Sequence, residues 1–272
     1  MSQRLMVAAA DATLAVRIDG DPGLPWLMLS NSLAADMTMW DDQLPALLRL
    51  RRVVRYDARG HGASSAPVGP YDLDRLAADA VAILDHLAIS AVDYLGLSLG
   101  GMTGVGLGLL HPARLRRLIC CDARGDYPAA ALALWDERMK AVSAGGTAAI
   151  AEDTLVRWFT EPTRRERPEL VDRARRMILA TSAAGYCGCV AALKALDHGR
   201  RLADLTVPTL YVAGEQDMAV PPATMQAMAA ATPGARFAVV PGAAHLANME
   251  NAAFFNATVC GFLEEGPATS RR

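Results

Sequence analysis

The chain has 272 residues, of which 52% are hydrophobic and 21% are charged, and its formal net charge at pH 7 is −2. A chain of this length forms a core that buries about three quarters of its unfolded surface. The near-neutral charge gives no electrostatic basis for binding nucleic acid or an anionic membrane. The longest apolar run, residues 99–110, is too short to cross a bilayer and holds five glycines. Asp11 interrupts the apolar stretch near the N-terminus, so we expect neither a secretory signal nor a membrane partner.

The cysteines indicate a reducing compartment. There are five, at positions 120, 121, 187, 189 and 260. An odd number with two adjacent members is a poor disulfide framework, and free cysteines commonly behave as small buried apolar residues. Cys187 and Cys189 have no second pair of metal ligands beside them in the sequence. We therefore predict a cytoplasmic protein with no bound metal and no other cofactor.

The first half of the chain alternates between strand and helix patterns. Strands are predicted at 6–10, 13–18, 26–29, 53–56, 91–95 and 115–121, and helices at 41–50, 73–87 and 102–110. The first two strands are expected to pair antiparallel through a turn at Asp11 and Ala12. The later alternation predicts a mostly parallel sheet with helices on both faces, which binds ligands beyond the carboxyl ends of its strands.

A glycine-rich loop follows the strand that ends near Tyr56. Its sequence is Asp-Ala-Arg-Gly-His-Gly-Ala-Ser, residues 57–64. The glycines on either side of His61 indicate a turn with unusual backbone angles. We interpret His61 as a structural residue of this loop rather than a catalytic one.

The most informative motif is Gly-Leu-Ser-Leu-Gly at residues 96–100. A β-like run precedes it and an apolar helical run follows it. Such a sharp strand-to-helix turn holds the serine in a strained conformation, and the glycines are needed because side chains there would collide with neighbouring elements. This is the nucleophile elbow of α/β-hydrolases, with Ser98 as nucleophile.

The elbow also predicts an oxyanion hole made of two backbone N–H groups. One belongs to the residue after the nucleophile, Leu99. The second is expected after the strand at 26–29, where the chain reads Ser-Asn-Ser-Leu-Ala. We place this second donor at Leu33.

Residues 125–205 lose the strand pattern and show helical spacing at 129–142, 148–159, 168–181 and 188–196. We predict a helical cap over residues 125–205, inserted between two strands of a core made of residues 1–124 and 206–272.

Two further candidates follow the last predicted strands. Asp217 comes after the strand at 207–214, and His245 comes after the strand at 235–240. Ser98, Asp217 and His245 thus stand in the order nucleophile, acid, base, at the ends of successive strands. This order predicts a Ser-His-Asp catalytic triad.

From residue 26 to residue 263 the chain resembles the 3-oxoadipate enol-lactonases, which belong to the α/β-hydrolases. The resemblance is carried by residues 29–33, 55–64, 96–104, 157–160, 185–188 and 244–248. It implies an α/β-hydrolase fold with a helical cap and hydrolysis of an enol-lactone formed in aromatic-ring degradation. The family's caps often hold a Trp followed by an Arg, and Trp135 and Arg138 are the nearest residues here.

The chain departs from that family at two places. Ala34 stands where the family usually has glycine, and the segment Cys-Cys-Asp-Ala-Arg at 120–124 replaces an Asn-Thr-Ala pattern. Asp122 lies where some proteins of this fold carry the triad acid, so it stays an alternative to Asp217.

The sequence therefore predicts a serine hydrolase that opens an enol-lactone through an acyl-enzyme. A substrate with a free carboxylate would need a cationic or polar partner, for which Arg124, Arg138 and Trp135 are hypotheses, and Trp158 is a further candidate for substrate binding. The alternatives are a carboxylesterase, a perhydrolase, a hydrolase of a related lactone or C–C bond, and a receptor of the same fold that binds its ligand without turnover. The expected partner is thus a small ester or lactone, and the sequence leaves the oligomeric state open.

Overall fold

The computed structural model describes residues 2–265. Met1, the first residue of the predicted core range 1–124, and residues 266–272, the last residues of the range 206–272, lie outside the described residues. The described chain forms one eight-stranded sheet. Its strands are β1 (Ser2–Ala9), β2 (Ala12–Asp19), β3 (Trp26–Ser30), β4 (Arg52–Tyr56), β5 (Val92–Leu97), β6 (Leu115–Cys121), β7 (Thr209–Gly214) and β8 (Arg236–Val240).

The order of the strands across the sheet is β1-β2-β4-β3-β5-β6-β7-β8. β2 is antiparallel to both β1 and β4, while every pair from β4 to β8 is parallel. The predicted mostly parallel sheet with an antiparallel pair at the start is confirmed. Since β3 to β8 run in one direction, the loops after their carboxyl ends meet along one edge of the sheet.

The helices connect these strands. They are α1 (Leu44–Leu47), α2 (Leu73–His86), α3 (Leu99–Leu110), α4 (Ala129–Gly145), α5 (Ala151–Trp158), α6 (Glu161–Glu166), α7 (Pro168–Ala180), α8 (Ala183–Lys194), α9 (Pro222–Ala231), α10 (Ala247–Glu250) and α11 (Ala252–Glu264). Five of them, α4 to α8, lie in the chain between β6 and β7. Within residues 2–265 no single helix is long and apolar enough to span a membrane; α7 and α8 pass this test only as a pair, and they are bent by 94°.

The central strands read as continuous apolar runs because they are covered on both sides. All residues of β5 and β7 are buried. Helix α3 lies close against this layer: a Cβ at Gly104 would come within 2.6 Å of the Tyr94 ring. The small residues of α3 therefore allow the helix that follows Ser98 to pack directly on β5.

Two helix predictions need correction. The predicted helix at 41–50 is only the single turn α1, preceded by a 3₁₀ turn at Met37–Trp40, because N–H groups on either side of α1 bond three residues back instead of four, as Gln43 does to Trp40 and Leu50 to Leu47. Helix α8 begins at Ala183 rather than at residue 188, because the Ser182 hydroxyl accepts from the N–H of Gly185. Helix α6 and the three helices after β7, α9 to α11, were not predicted.

Candidate active site

Ser98 lies in a strained turn between β5 and α3. Its φ of 54° and ψ of −113° are rarely adopted by residues with a side chain. A Cβ at Gly96 would lie 2.2 Å from the carbonyl oxygen of Gly100, and a Cβ at Gly100 would lie 2.2 Å from that of Ser30. Both glycines are therefore sterically required. The N–H of Ser98 donates to the carbonyl of Cys121 at 2.8 Å, which fixes the turn against the end of β6.

Asp217 and His245 form a buried pair at the ends of β7 and β8. Nδ1 of His245 donates to Oδ2 of Asp217 at 2.7 Å. The other carboxylate oxygen, Oδ1, accepts from the N–H groups of Ala219 at 2.7 Å and Val220 at 3.0 Å. With its acceptors occupied in this way, Asp217 has one orientation, and Nε2 of His245 is left for a proton from another group.

Gly214 brings the His245 loop close to β7. A Cβ at this position would lie 2.1 Å from the carbonyl oxygen of Ala244, the residue before His245. Any side chain at Gly214 would push the loop away, so this glycine sets the distance between Asp217 and His245. The sequence analysis did not identify this role.

The two predicted oxyanion donors have N–H groups that remain available. Within residues 2–265, the N–H groups of Leu33 and Leu99 donate to no protein acceptor. Leu33 lines the same cavity as Ser98, and Leu99 is the residue that follows Ser98. The N–H of the next residue, Ala34, is instead taken by Nε2 of His61 at 2.9 Å. This arrangement distinguishes Leu33 from Ala34 as the available donor of the loop.

His61 is buried beside that loop and outside the cavity. Its Nδ1 donates to the carbonyl of Arg59 at 3.0 Å, since Nε2 must accept from Ala34. Burial lowers the pKa of His61 below its ordinary value, which keeps the ring neutral and able to accept. These contacts are those of a residue that supports the Leu33 loop.

Asp122 lies at the end of β6, fully buried, with a φ of 45°. Its Oδ1 accepts from the N–H of Gly214 at 2.6 Å, and it forms no hydrogen bond with His245 within the described chain. Burial and the neighbouring negative charge of Asp217 raise the pKa of Asp122 well above its ordinary value. The carboxylate bonded to His245 is thus Asp217, and Asp122 lies behind it.

A cavity of about 340 Å³ lies beside Ser98 and His245. The four side chains that were predicted to bind substrate all line it: Arg124, Trp135, Arg138 and Trp158. Helices α4, α5 and α8 supply much of the wall. Its size and its largely apolar lining with a few polar groups are typical of small-molecule sites.

Three arginines line this cavity, and none of them forms a salt bridge within residues 2–265; Arg138 comes from α4 and Arg157 from α5. Arg138 is buried and is held by neutral groups, since Nε donates to the Tyr186 hydroxyl at 3.1 Å and Nη2 to the Thr154 hydroxyl. Arg157, which sequence reasoning missed, is half-buried and forms no salt bridge or hydrogen bond within residues 2–265. Burial and the nearby Arg138 charge lower the pKa of Arg157. The charge of Asp153 acts on Arg157 in the opposite direction, but neither Arg138 nor Arg157 forms a salt bridge within residues 2–265, so the cavity holds positive charge without a paired carboxylate.

Aromatic groups lie beside Arg124, the third arginine of the cavity. The Arg124 guanidinium lies 4.5 Å from the centre of the Tyr127 ring, and its Nε donates to the carbonyl of Asp126. The rings of Tyr127 and Trp135 meet edge to face at 5.8 Å. Arg124 is thus already engaged by neutral groups at the edge of the site.

Glu250 joins the helices between β6 and β7 to the His245 loop, and sequence reasoning missed it as well. Its Oε1 accepts from the N–H and the hydroxyl of Thr160, and its Oε2 accepts from the N–H of Ala244 at 2.7 Å. The carbonyl of Trp158 accepts from the N–H of Leu246 at 3.1 Å. The end of α5 is therefore bonded to both sides of His245.

The five thiols are free, and those of Cys120, Cys121 and Cys189 are buried. Within residues 2–265 no group of three or more His, Cys, Asp or Glu side chains is placed to hold a metal ion.

Comparison with known proteins gives a consistent result. Residues 25–252 match a family model described as alpha/beta hydrolase fold. The chain is 34% identical over 253 residues to 3-oxoadipate enol-lactonase 2 of Acinetobacter baylyi, with 93% of this chain and 94% of the relative covered. It is 32% identical over 244 residues to RutD of Variovorax paradoxus, named as a carbamate hydrolase, with 87% and 91% covered.

A solved structure agrees with these similarities. The enol-lactonase from Burkholderia xenovorans LB400 superposes with a TM-score of 0.93 at 36% identity, covering 96% of this chain and 100% of that chain. The similarity to enol-lactonases that the sequence motifs predicted is confirmed.

Proposed function

This chain belongs to the α/β-hydrolase family and acts on ester or lactone bonds, and we propose that it is a serine hydrolase that opens an enol-lactone of the 3-oxoadipate enol-lactone type in aromatic catabolism. One observation carries the proposal: a single cavity is lined by Ser98, His245 and three arginines that form no salt bridge within residues 2–265. The enol-lactonases among the relatives support the choice of substrate.

In the proposed reaction, Nε2 of His245 takes the proton from the Ser98 hydroxyl as the oxygen attacks the lactone carbonyl. The tetrahedral intermediate collapses by breaking the bond to the ring oxygen, which leaves as an enol and receives the proton from His245. The enol stays tethered in the acyl-enzyme and tautomerises to a ketone, which makes ring opening hard to reverse. Water activated by His245 then cleaves the ester to Ser98 and releases the product acid.

The negative oxygen of each tetrahedral intermediate is assigned to the N–H groups of Leu33 and Leu99. Their lack of a protein acceptor within residues 2–265 supports this role. Losing one such donor costs about 3 kcal/mol of transition-state stabilisation. Asp217 holds His245 with Nδ1 protonated and stabilises the imidazolium that forms during the reaction.

The substrate's free carboxylate is assigned to Arg138 and Arg157. Tyr186 and Thr154 orient Arg138 without neutralising its charge, and a carboxylate between two guanidinium groups would relieve their mutual repulsion. Trp135 and Trp158 supply apolar walls for the ring of the substrate. Arg124 would contact the substrate nearer the edge of the cavity.

We also assign residues 125–205 as a helical cap on a core formed by 1–124 and 206–272, since helices α4 to α8 leave the sheet after β6 and return to it at β7. The hydrogen bonds of Glu250 and Trp158 then place cap residues next to the catalytic histidine. The five free thiols support a location in the reducing cytoplasm.

The second candidate function is hydrolysis of a carbamate, which the similarity to RutD favours. The same nucleophile and oxyanion donors would serve it, and an esterase of another carboxylic ester would use them too. These functions differ in the substrate group that Arg138 and Arg157 would bind. Comparing turnover of the lactone, a carbamate and a simple ester therefore distinguishes them.

The test follows loss of 3-oxoadipate enol-lactone absorbance with the wild type, Ser98→Ala and Ser143→Ala. Ser143 is exposed on α4 and does not line the cavity, so it is a matched control for the substitution. We expect fast turnover in the wild type and the control, and a loss of about 10⁴- to 10⁶-fold in Ser98→Ala. A folded wild type that leaves the lactone intact but hydrolyses a carbamate or a simple ester would overturn the enol-lactonase assignment.

A further inference from the structure

Asp122 is a buried carboxyl beside the proposed triad to which the mechanism gives no role. It is fully buried at the end of β6, and its backbone N–H donates to the carbonyl of Val212 on β7 at 2.9 Å. Its Oδ1 accepts from the N–H of Gly214 at 2.6 Å, and the carbonyl of Gly214 accepts from the N–H of Asp217. The Asp122 carboxyl is thus bonded to the same turn that carries the triad acid.

The second oxygen of this carboxyl, Oδ2, is buried and has no hydrogen-bond donor among the described residues. An ionised carboxylate in that state would leave a negative charge without a partner, at high cost. No arginine, lysine or histidine within residues 2–265 forms a salt bridge with it. The titratable groups that interact with it are Asp217, within hydrogen-bonding reach, and the thiols of Cys120 and Cys121, whose pKa values burial raises.

A protonated Asp122 removes this difficulty. A carboxylic acid accepts through one oxygen and donates through the other, which matches a donor at Gly214 on one side and an anionic oxygen of Asp217 on the other. We propose that Asp122 is a neutral carboxylic acid that donates its Oδ2 proton to Asp217 and so acts as a positioning residue for the Asp217–His245 pair. The inference rests on the proposed catalytic roles of those two residues.

This donor would have two effects on His245. It would fix the plane of the Asp217 carboxylate together with the N–H groups of Ala219 and Val220. It would also withdraw negative charge from Asp217, which would then stabilise the imidazolium of His245 less. Asp122 acts through Asp217 and touches no reacting atom.

Two variants test the proposal. Asp122→Asn keeps an acceptor for Gly214 and a donor for Asp217, and asparagine tolerates the φ of 45° at this position. Asp122→Gly removes both groups at a φ that glycine adopts without strain. Asp85→Asn, exposed on α2, controls for a remote change of one charge.

The first readout is the pKa of His245 followed by NMR of ¹⁵N-labelled histidine, with His245→Gln to assign the signal. We expect Asp122→Asn and Asp85→Asn to match the wild type, and Asp122→Gly to raise the pKa of His245 by about half a unit or more. If Asp122 were ionised, Asp122→Asn would remove a negative charge and lower that pKa by about one unit or more, which would overturn the proposal. An unchanged pKa in Asp122→Gly would overturn it as well.

The second readout is the pH profile of kcat/KM on the lactone or, if the lactone is not turned over, on any ester that is. Asp122→Asn is expected to keep the wild-type profile, and Asp122→Gly to lose about tenfold and to shift its acid limb upward. An Asp122→Asn enzyme that folds but is inactive would make Asp122 the triad acid and overturn the proposal. Because the NMR titration needs no substrate, failure of the lactonase assignment leaves this inference testable.

Discussion

Nε2 of His61 accepts a hydrogen bond of 2.9 Å from the backbone N–H of Ala34. This bond ties the loop after β4 to the loop after β3 and leaves the N–H of Leu33 as the donor that faces the cavity. His61 thus supports the proposed oxyanion hole from behind, without contact with the cavity itself.

We expect His61→Ala to lower both stability and turnover. The buried N–H of Ala34 would lose its acceptor, at a cost of about 1 to 3 kcal/mol in the free energy of unfolding, and a looser Leu33 would lower kcat more than it changes KM. His61→Gln offers Oε1 in place of Nε2 and should recover part of both losses. Urea unfolding and steady-state kinetics on the lactone measure the effects. Equal kcat in His61→Ala and the wild type would show that the bond does not serve the oxyanion loop.

The stability supplied by His61 should depend on pH. Burial lowers the pKa of folded His61 below the unfolded value of about 6.5. Below that value the unfolded chain binds a proton that the folded chain resists, so stability rises with pH in this window. The contribution is fully present above about pH 6.5 and is lost as the pH falls through the lowered folded pKa. The difference in unfolding free energy between the wild type and His61→Gln, which cannot titrate, should narrow from pH 8 to pH 5.

The backbone at Ala34 is strained, since its φ is 64°. Glycine adopts this angle without a steric cost, so Ala34→Gly should raise the free energy of unfolding by up to about 1 kcal/mol. Ala35→Gly is the matched control, because Ala35 is the next residue, is also buried and has no positive φ. Its replacement should lower the free energy of unfolding by about 1 kcal/mol. Thermal unfolding of both variants measures these changes. A loss of stability in both would mean that backbone strain at Ala34 does not lower the stability of the folded chain.

The elbow was predictable because its requirements are local. Gly96, Ser98 and Gly100 lie within one turn, and a Cβ at Gly96 would collide with Gly100 in that same turn; only the collision at Gly100, with Ser30 of β3, involves a distant segment. The order of the strand ends likewise indicated that Asp217 and His245 lie close together. In the structure, Nδ1 of His245 lies 2.7 Å from Oδ2 of Asp217. Parallel strands with short loops carry such information directly in the sequence.

The remaining parts depend on contacts between distant segments. Arg157 lies beside Arg138 only because α4 and α5 meet over the cavity, and Glu250 reaches Thr160 across 90 positions of the chain. Gln43 likewise bonds to a carbonyl 205 positions away. No periodicity within a single segment reports such contacts.

Arg138 and Arg157 should contribute to kcat/KM only for a negatively charged substrate. Arg157→Met and Arg138→Met are expected to lower kcat/KM for the carboxylated lactone by about 10- to 100-fold, the range of a charge-assisted hydrogen bond. The methyl ester of the same lactone should lose less than about threefold, since it offers no charge to bind. Arg176→Met, exposed on α7 and outside the cavity, is the control for a lost positive charge. Equal losses on the acid and on its ester would assign the arginines to cap structure instead of carboxylate binding.

Glu250 should couple the cap to His245 through hydrogen bonds that all require it as an acceptor. Its two oxygens receive the N–H groups of Thr160 and Ala244 at 2.8 Å and 2.7 Å. In Glu250→Gln one oxygen becomes an NH₂ group that faces a donor, so one buried N–H loses its partner, and we expect a loss of about 1 to 3 kcal/mol in the free energy of unfolding. Thr160→Val removes the hydroxyl that donates to Glu250 and that also caps α6 by accepting from the N–H of Thr163, so we expect it to cost about 0.5 to 2 kcal/mol and to serve as the control for kcat. If the His245 loop depends on this link, kcat falls in Glu250→Gln beyond what Thr160→Val shows, whereas equal kcat in both would confine Glu250 to stability.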